Sequence, residues 1–161
     1  MWVGKGDTGE LNFTALMAQL VAADPDWQCS GPQPMEKINE VAAQFDLNLP
    51  DSYISFLNQL GCVDYLDCHY AGLDEDYLDP EYGFMWPTHV LREESDLPHH
   101  LLCIEYDHDA HQLPCIDLSM LVDGECRLVW FDIHRRAIVG HCADSFAGYF
   151  FQRVSPWLDK G

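Results

Sequence analysis

The chain has 161 residues, 48% of them hydrophobic, which is enough to bury a core without disulfides or a metal. It carries 27 Asp and Glu against 8 Lys and Arg, a formal net charge of −19. This charge argues against nucleic acid and anionic membranes as direct partners and favours a basic protein. The alternative reading is that the acidity only keeps the protein soluble.

We expect no segment that directs the chain to or across a membrane. The first residues, "MWVGKGDTGELNF", lack the apolar stretch of a signal peptide, and no apolar run reaches membrane-spanning length. The seven cysteines form no C-x-x-C pair, and several lie in apolar runs such as "LLCIEY". We therefore predict one cytoplasmic domain over residues 1–161, with reduced cysteines that act mostly as small core hydrophobes.

Three helices are predicted in the first sixty residues. The first covers about 11–23 and ends at the loop "DPDWQCSGPQP". The second is "MEKINEVAAQFD" (35–46), whose apolar residues recur at i, i+3, i+4 and i+7. The third lies in "LNLPDSYISFLNQLG" (47–61), where Pro50 suits the first turn and Gly61 suits the C-terminal cap.

The rest of the chain is predicted to form strands and a last helix. Segment 62–87 has no clean period, so we expect loops and short irregular elements there. Strand-like runs follow at 100–107, 114–121, 126–133 and 137–142, with turns at 123–125 ("DGE") and 134–136 ("HRR"). Asp144 or Ser145 caps the closing helix. The order predicts an α+β fold: N-terminal helices, an antiparallel sheet of about four to six strands, and a C-terminal helix packed on it.

Two stretches of the sequence resemble the SUKH superfamily (the Smi–Knr type). "VAAQFDLNLPDSYISFLNQLG" is similar to the family signature, a short "lxLP" segment followed by a Y-x-x-F-L helix. "LVWFDIHRRAIVGHCADSFAGYFFQRV" resembles its closing hairpin and last helix, so that the resemblance covers about 36–158. The matching positions of the signature are Phe45, Leu47, Leu49, Pro50, Tyr53, Phe56, Leu57 and Gly61.

The chain departs from the family pattern at two places. Leu60-Gly61 stands where members usually have Asn-Gly, and "DHDAHQL" (107–113) replaces a Gly-Gly-Asp-like turn. The resemblance implies a mixed fold without a cofactor or a catalytic site. It implies either an immunity protein that binds and neutralises a bacterial toxin, frequently a nuclease, or a regulatory interaction module like the fungal members.

Acids and aromatics alternate in the middle of the chain. Between Lys37 and Arg92 there is no Lys or Arg but ten acids, seven of them within 64–81. Aromatic side chains can anchor a protein contact while carboxylates steer a basic partner towards it. The alternative is a solvated acidic loop with no partner. The predicted partner-binding residues are Asp64, Asp67, Tyr70, Asp74, Glu75, Asp76, Tyr77, Asp79, Glu81, Trp86, Asp107 and Asp109.

A competing hypothesis is a small metal-binding hydrolase centred on His108, His111 and Cys115. These residues supply suitable ligand atoms, but they match no established zinc spacing. A second group, "GHCADS" (140–145), holds His, Cys, Asp and Ser as near neighbours on a strand, which is poor geometry for a triad. No nucleophile elbow or phosphate-binding glycine loop is present. We therefore predict a protein that is not an enzyme, with no metal and no cofactor.

Overall fold

The computed structural model describes residues 11–66, 68–74, 84–107 and 109–158, and these form an α+β fold. The helices are α1 (Phe13–Ala23), α2 (Met35–Gln44), α3 (Asp51–Leu60), α4 (Trp86–Ser95) and α5 (Phe146–Leu158). The strands are β1 (Trp27–Cys29), β2 (Val63–Tyr65), β3 (Cys68–Tyr70), β4 (Leu101–Cys103), β5 (Glu105–Tyr106), β6 (Gln112–Val122), β7 (Glu125–Asp132) and β8 (Ala137–Ala143). The predicted fold class is confirmed.

The three predicted N-terminal helices are present, and caps are identified at the start of α1 and at both ends of α3. Asn12 caps α1 by accepting a hydrogen bond from the Ala15 N–H at 3.0 Å. Pro50 is the N-cap of α3, so the helix begins at Asp51. Gly61 ends α3 with a positive φ of 78°, and its N–H donates to the Leu57 carbonyl.

The N-terminus of α3 is capped by a side chain that is distant in the sequence. Glu125 accepts hydrogen bonds from the N–H and the hydroxyl of Ser52 at 2.9 and 2.7 Å. The Ser52 hydroxyl also accepts from the Ala147 N–H of α5 at 3.2 Å, and the Asp51 N–H donates to the Gly124 carbonyl at 2.7 Å. The Leu-Pro-Asp-Ser segment therefore joins α3 to the β6–β7 turn and to α5.

The strands of the described residues form two antiparallel sheets of four strands each, where the prediction had a single sheet. The first sheet has the order β1-β2-β3-β5 and the second has the order β4-β6-β7-β8. The run 100–107 was predicted as one strand, but Ile104 divides it into β4 of the second sheet and β5 of the first. Both backbone groups of Ile104 are used across this break, its N–H by Pro114 and its carbonyl by Ala71.

The two predicted turns and the cap of the last helix are confirmed. Asp123 and Gly124 both have positive φ, 53° and 82°, as a two-residue turn between right-twisted strands requires. Residues 133–136 form the second turn. The Ser145 hydroxyl accepts from the Gly148 N–H at 3.0 Å and caps α5.

Aromatic rings from the helices fill the centre of the larger apolar cluster. Phe56 of α3 lies 4.9 Å from Phe146 and 5.5 Å from Phe150 of α5, measured between ring centroids. Phe13 of α1 lies 5.7 Å from Phe56, and Tyr53 stacks on the same ring at 5.8 Å. All five rings are buried, so these contacts fix α1, α3 and α5 relative to one another.

A buried aspartate stabilises a large bulge in the β6–β7 hairpin. Residues 117–120 of β6 face a single residue of β7, Arg127. Asp117 is buried there and accepts hydrogen bonds from the Ser119 N–H at 3.0 Å and from two Arg127 nitrogens at 3.1 and 3.2 Å. Burial acts to raise the pKa of Asp117, but the hydrogen bonds from Ser119 and Arg127 outweigh it and hold the pKa below its usual value.

Replacing Asp117 by asparagine is expected to lower the free energy of unfolding by about 1–3 kcal/mol at neutral pH. Because the folded-state pKa is depressed, the carboxylate stabilises the fold above about pH 4, and this contribution is lost as the pH falls through the folded pKa. The difference between variant and wild type should therefore shrink below about pH 4. Urea denaturation across that range measures it, and a difference that is constant with pH would contradict the account.

Candidate protein-binding surface

One row of residues crosses the outer face of the first sheet. The strand register places Gln28, Asp64, His69 and Tyr106 side by side on β1, β2, β3 and β5. Alternate residues of a strand point to opposite faces, and the buried strand neighbours of these four, Trp27, Val63, Tyr70 and Glu105, form the inner face. Gln28 is exposed, and the other three side chains are partly exposed. The row is therefore accessible to a partner.

One carboxylate and several aromatic rings lie along and beside this row. Asp64 Oδ1 lies 2.5 Å from His69 Nδ1. The Trp86 ring meets the Tyr106 ring edge to face at 5.2 Å and is 40% exposed. Burial, followed by the charge of Glu94, raises the pKa of Tyr106.

Two further predicted acids follow directly after β5. Asp107 Oδ1 accepts a hydrogen bond from the Asp109 N–H at 2.9 Å, which shapes a tight turn, and Asp109 is exposed. The acidic–aromatic face is the name used below for the set Asp64, His69, Trp86, Tyr106, Asp107 and Asp109. Four of the predicted residues belong to this set. Asp64 is connected to Trp86 through His69 and Tyr106, whereas Asp107 and Asp109 are placed there only by following Tyr106 in the chain.

Tyr70 belongs to the core rather than to this surface. It lies on the inner face of the first sheet, is 2% exposed, and meets the ring of Phe150 at 5.2 Å. Burial raises the pKa of Tyr70 well above its usual value. Its interpretation as a contact residue is corrected on this ground, since strand alternation turns it away from Asp64 and His69.

The remaining predicted contact residues divide into two groups. Asp74 is half-buried at the end of a described stretch. The others lie outside the described residues: Asp67, Glu75, Asp76, Tyr77, Asp79 and Glu81. Their part in binding stays a prediction.

An ionic cluster that the sequence analysis did not single out lies beneath the first sheet. Glu105 is buried and accepts hydrogen bonds from the Tyr149 hydroxyl, from Arg153 Nη2 at 2.8 Å and from the Cys68 thiol at 3.0 Å. Burial, then the charge of Glu105, raises the pKa of Tyr149, and the hydrogen bond to Glu105 raises that of Arg153. The cluster ties α5 to β3 and β5.

Of the three residues of the competing metal hypothesis, the two that are described differ in their surroundings. Cys115 is buried in the second apolar cluster, whereas His111 is exposed and packs on His134 with ring centroids 4.4 Å apart. His108 lies outside the described residues. Among the residues that are described, no three His, Cys, Asp or Glu side chains are grouped as a metal ion would need.

The "GHCADS" segment borders a groove of about 590 Å³ between β8 and α5. His141 Nε2 lies 3.0 Å from Asp144 Oδ1, and the Ser145 hydroxyl is used to cap α5. Burial, the largest of several influences, raises the pKa of the Cys142 thiol to about 12, which keeps it protonated and poorly nucleophilic at neutral pH. All seven cysteines are free thiols, as predicted.

Comparison with known proteins places the fold and the signature in one family. The model of the SMI1 / KNR4 family (SUKH-1) matches residues 34–152. The chain belongs to the SMI1 / KNR4 family (SUKH-1). A comparison with curated proteins found no match.

The SUKH-1 signature is part of the scaffold and not of the acidic–aromatic face. Tyr53, Phe56 and Leu57 are buried, and the Tyr53 hydroxyl donates to the Ala71 carbonyl at 2.6 Å. Gly61 packs so closely against Ser30 and the Leu73 carbonyl that an added Cβ would collide with both. The signature therefore identifies the fold and carries no information about the acidic–aromatic face.

The SUKH family is known as immunity-protein-like, which is consistent with a non-catalytic binder. Such a role implies a protein partner. None of the helices in the described residues combines the length and the hydropathy that a membrane span requires.

Proposed function

We propose that this protein is a cytoplasmic, non-catalytic immunity protein that neutralises a cognate bacterial toxin by direct contact through the acidic–aromatic face. The observation that supports this most is the row across the first sheet. It exposes Asp64, His69 and Tyr106 next to Trp86, with Asp109 exposed beyond the end of β5. The proposal treats residues 1–161 as one domain.

The charge of the chain supports a basic partner. A net charge of −19 produces a field that accelerates association with a cationic surface and disfavours acidic competitors. Nucleases fit this description because they must present a basic groove to their own substrate. Carboxylates on the acidic–aromatic face would then occupy positions that nucleic-acid phosphates take in the toxin's complex with its substrate.

The aromatic residues of the acidic–aromatic face supply binding energy that charge alone does not. Trp86 and Tyr106 are rigid, large and partly exposed, and each has a polar edge. Side chains of this kind contribute most of the binding energy in protein interfaces when they are desolvated by the partner. Tyr106 lies in β5 and Trp86 lies at the start of α4, and their mutual contact positions both rings before binding, which reduces the entropy lost on association.

Co-expression tests the proposal. The probe is the basic C-terminal domain of a large secreted protein encoded by an adjacent gene, produced with and without this protein in the same cells. We expect the domain to arrest growth alone and to be harmless in a stable complex with this protein. Growth arrest that is unchanged by this protein would contradict the proposal.

The same complex distinguishes binding from catalysis. When it is separated by denaturation and the toxin domain is refolded, we expect toxin activity to return in full and its mass to be unchanged. A toxin domain that stays inactive or carries a new covalent change would instead indicate an enzyme.

A further inference from the structure

Three consecutive large apolar side chains are exposed at the end of the β6–β7 hairpin. Met120, Leu121 and Val122 are 51%, 46% and 61% exposed. Paired strand residues share a face, so Val122 lies with Met120 on the side of Glu125, whereas Leu121 lies on the side of Cys126. Single exposed apolar residues are common, but neighbouring ones on one face often mark an interaction site. None of these residues belongs to the acidic–aromatic face or to the SUKH-1 signature.

The hairpin end is held rigidly from both sides. On β6 the bulge of residues 117–120, which includes Met120, is fixed by Asp117, which is bonded to Ser119 and Arg127. On β7 Glu125 is bonded to Ser52, and the Asp51 N–H donates to the Gly124 carbonyl. Bulges often re-aim side chains near functional sites. The bulge therefore holds the apolar group in a fixed geometry before binding, which reduces the conformational entropy lost on association.

The rim of the apolar group is acidic. Asp123 is in the turn itself, and an Asp51 carboxylate oxygen lies so close to Gly124 that an added Cβ would be 2.3 Å from it. Glu125 is next in sequence, and the charge of Asp51 contributes to raising its pKa, after burial. Arg127, on the same hairpin, is neutralised by Asp117. An apolar centre with carboxylates around it is complementary to a basic protein surface with an apolar centre.

We infer that the end of the β6–β7 hairpin, residues 119–125, is a second docking surface for a basic protein, with Met120 and Val122 as its apolar anchors. The inference deepens the proposed function and rests on it, because the occupant is the same cationic toxin domain. The two surfaces have separate roles. The acidic–aromatic face governs the rate of association, and the hairpin governs the lifetime of the complex.

Binding kinetics with the purified C-terminal toxin domain test the inference. The variant is Met120→Ser with Val122→Thr, chosen because these two side chains are the more exposed members of the group. The matched control is Met35→Ser with Val21→Thr, since both side chains are 42% exposed on helices elsewhere. Val122→Lys serves as a second variant, and circular dichroism checks that each protein is folded.

We expect the hairpin variant to raise the dissociation rate constant at least tenfold, with an association rate and a salt dependence within twofold of wild type. The helix control should leave all three unchanged. A dissociation rate within twofold of wild type in both hairpin variants would overturn this inference alone. Absence of binding by the wild-type protein would overturn the proposed function and this inference together.

Discussion

Replacing Phe56 by alanine is expected to lower the free energy of unfolding by about 3–5 kcal/mol. Phe56 is fully buried and its ring contacts Phe13, Tyr53, Phe146 and Phe150. Truncation loses the free energy gained by burying the ring. It also leaves a cavity between three helices, which cannot all move inwards to fill it. Urea denaturation followed by circular dichroism measures the loss.

Phe151→Ala is the matched control for this prediction. Phe151 is the next residue after Phe150 in α5 but is only half-buried, so its loss should cost about 1–2 kcal/mol. A Phe56→Ala variant no less stable than Phe151→Ala would contradict the packing described here. Any folded fraction of Phe56→Ala should still bind the partner, because the ring contacts of Phe56 include no residue of either proposed docking surface.

Replacing Glu105 by alanine is expected to cost about 3 kcal/mol of stability. The change removes the acceptor of the buried Tyr149 hydroxyl and the charge partner of Arg153. Removing one partner of a buried ion pair costs about 3–5 kcal/mol of stability. Because the partly exposed Arg153 can regain some hydration, we expect a loss at the lower end of this range. Thermal and chemical denaturation of the variant measure this.

Glu105→Gln separates charge from hydrogen bonding in the same cluster. Glutamine keeps an oxygen for Tyr149 but removes the ionic partner of Arg153, so we expect a loss of about half that of the alanine variant. Equal stability of Glu105→Ala and wild type would show that the cluster does not stabilise the fold. Either variant should also lower the pKa of Tyr149, since the charge of Glu105 contributes to raising it.

The elements with a strong periodic pattern were predictable from sequence. The helices around Ile38 and Phe56 carry the i, i+3, i+4, i+7 pattern, and Gly61 ends the second of them where a positive φ is required. Asp123-Gly124 identified the hairpin for the same reason. In each case local chemistry and tertiary packing favour the same conformation.

Elements that depend on distant partners were missed. β1 is three residues long in a proline-rich loop and forms because Trp27 stacks on Tyr65 at 4.2 Å and pairs with it across the sheet. α4 has one well-buried apolar residue in its centre, Leu91, and little periodicity. The break at Ile104 depends on which of two sheets each half of a short run joins. No local signal reports that choice.

The composition of the sequence suggested the candidate surface, but it did not indicate which side chains face outwards. The acids and aromatics after Gly61 indicated a protein-binding segment. The register of β2, β3 and β5 decides that Asp64 and Tyr106 face outwards while Tyr70 faces the core. Strand alternation could have separated Tyr70 from Asp64 had β2 and β3 been recognised as a hairpin. Without that pairing, nothing in the sequence indicated that His69 lies beside Asp64.

The association rate of the toxin domain with two charge-reversed variants tests the central claim most directly. Asp64→Lys with Asp109→Lys alters the acidic–aromatic face, and Glu36→Lys with Glu40→Lys changes the net charge equally on the exposed side of α2. We predict that the first pair slows association at least about tenfold at low ionic strength and flattens its salt dependence, while the second changes it less than about threefold. Equal effects of the two pairs would contradict a partner-binding role for the acidic–aromatic face.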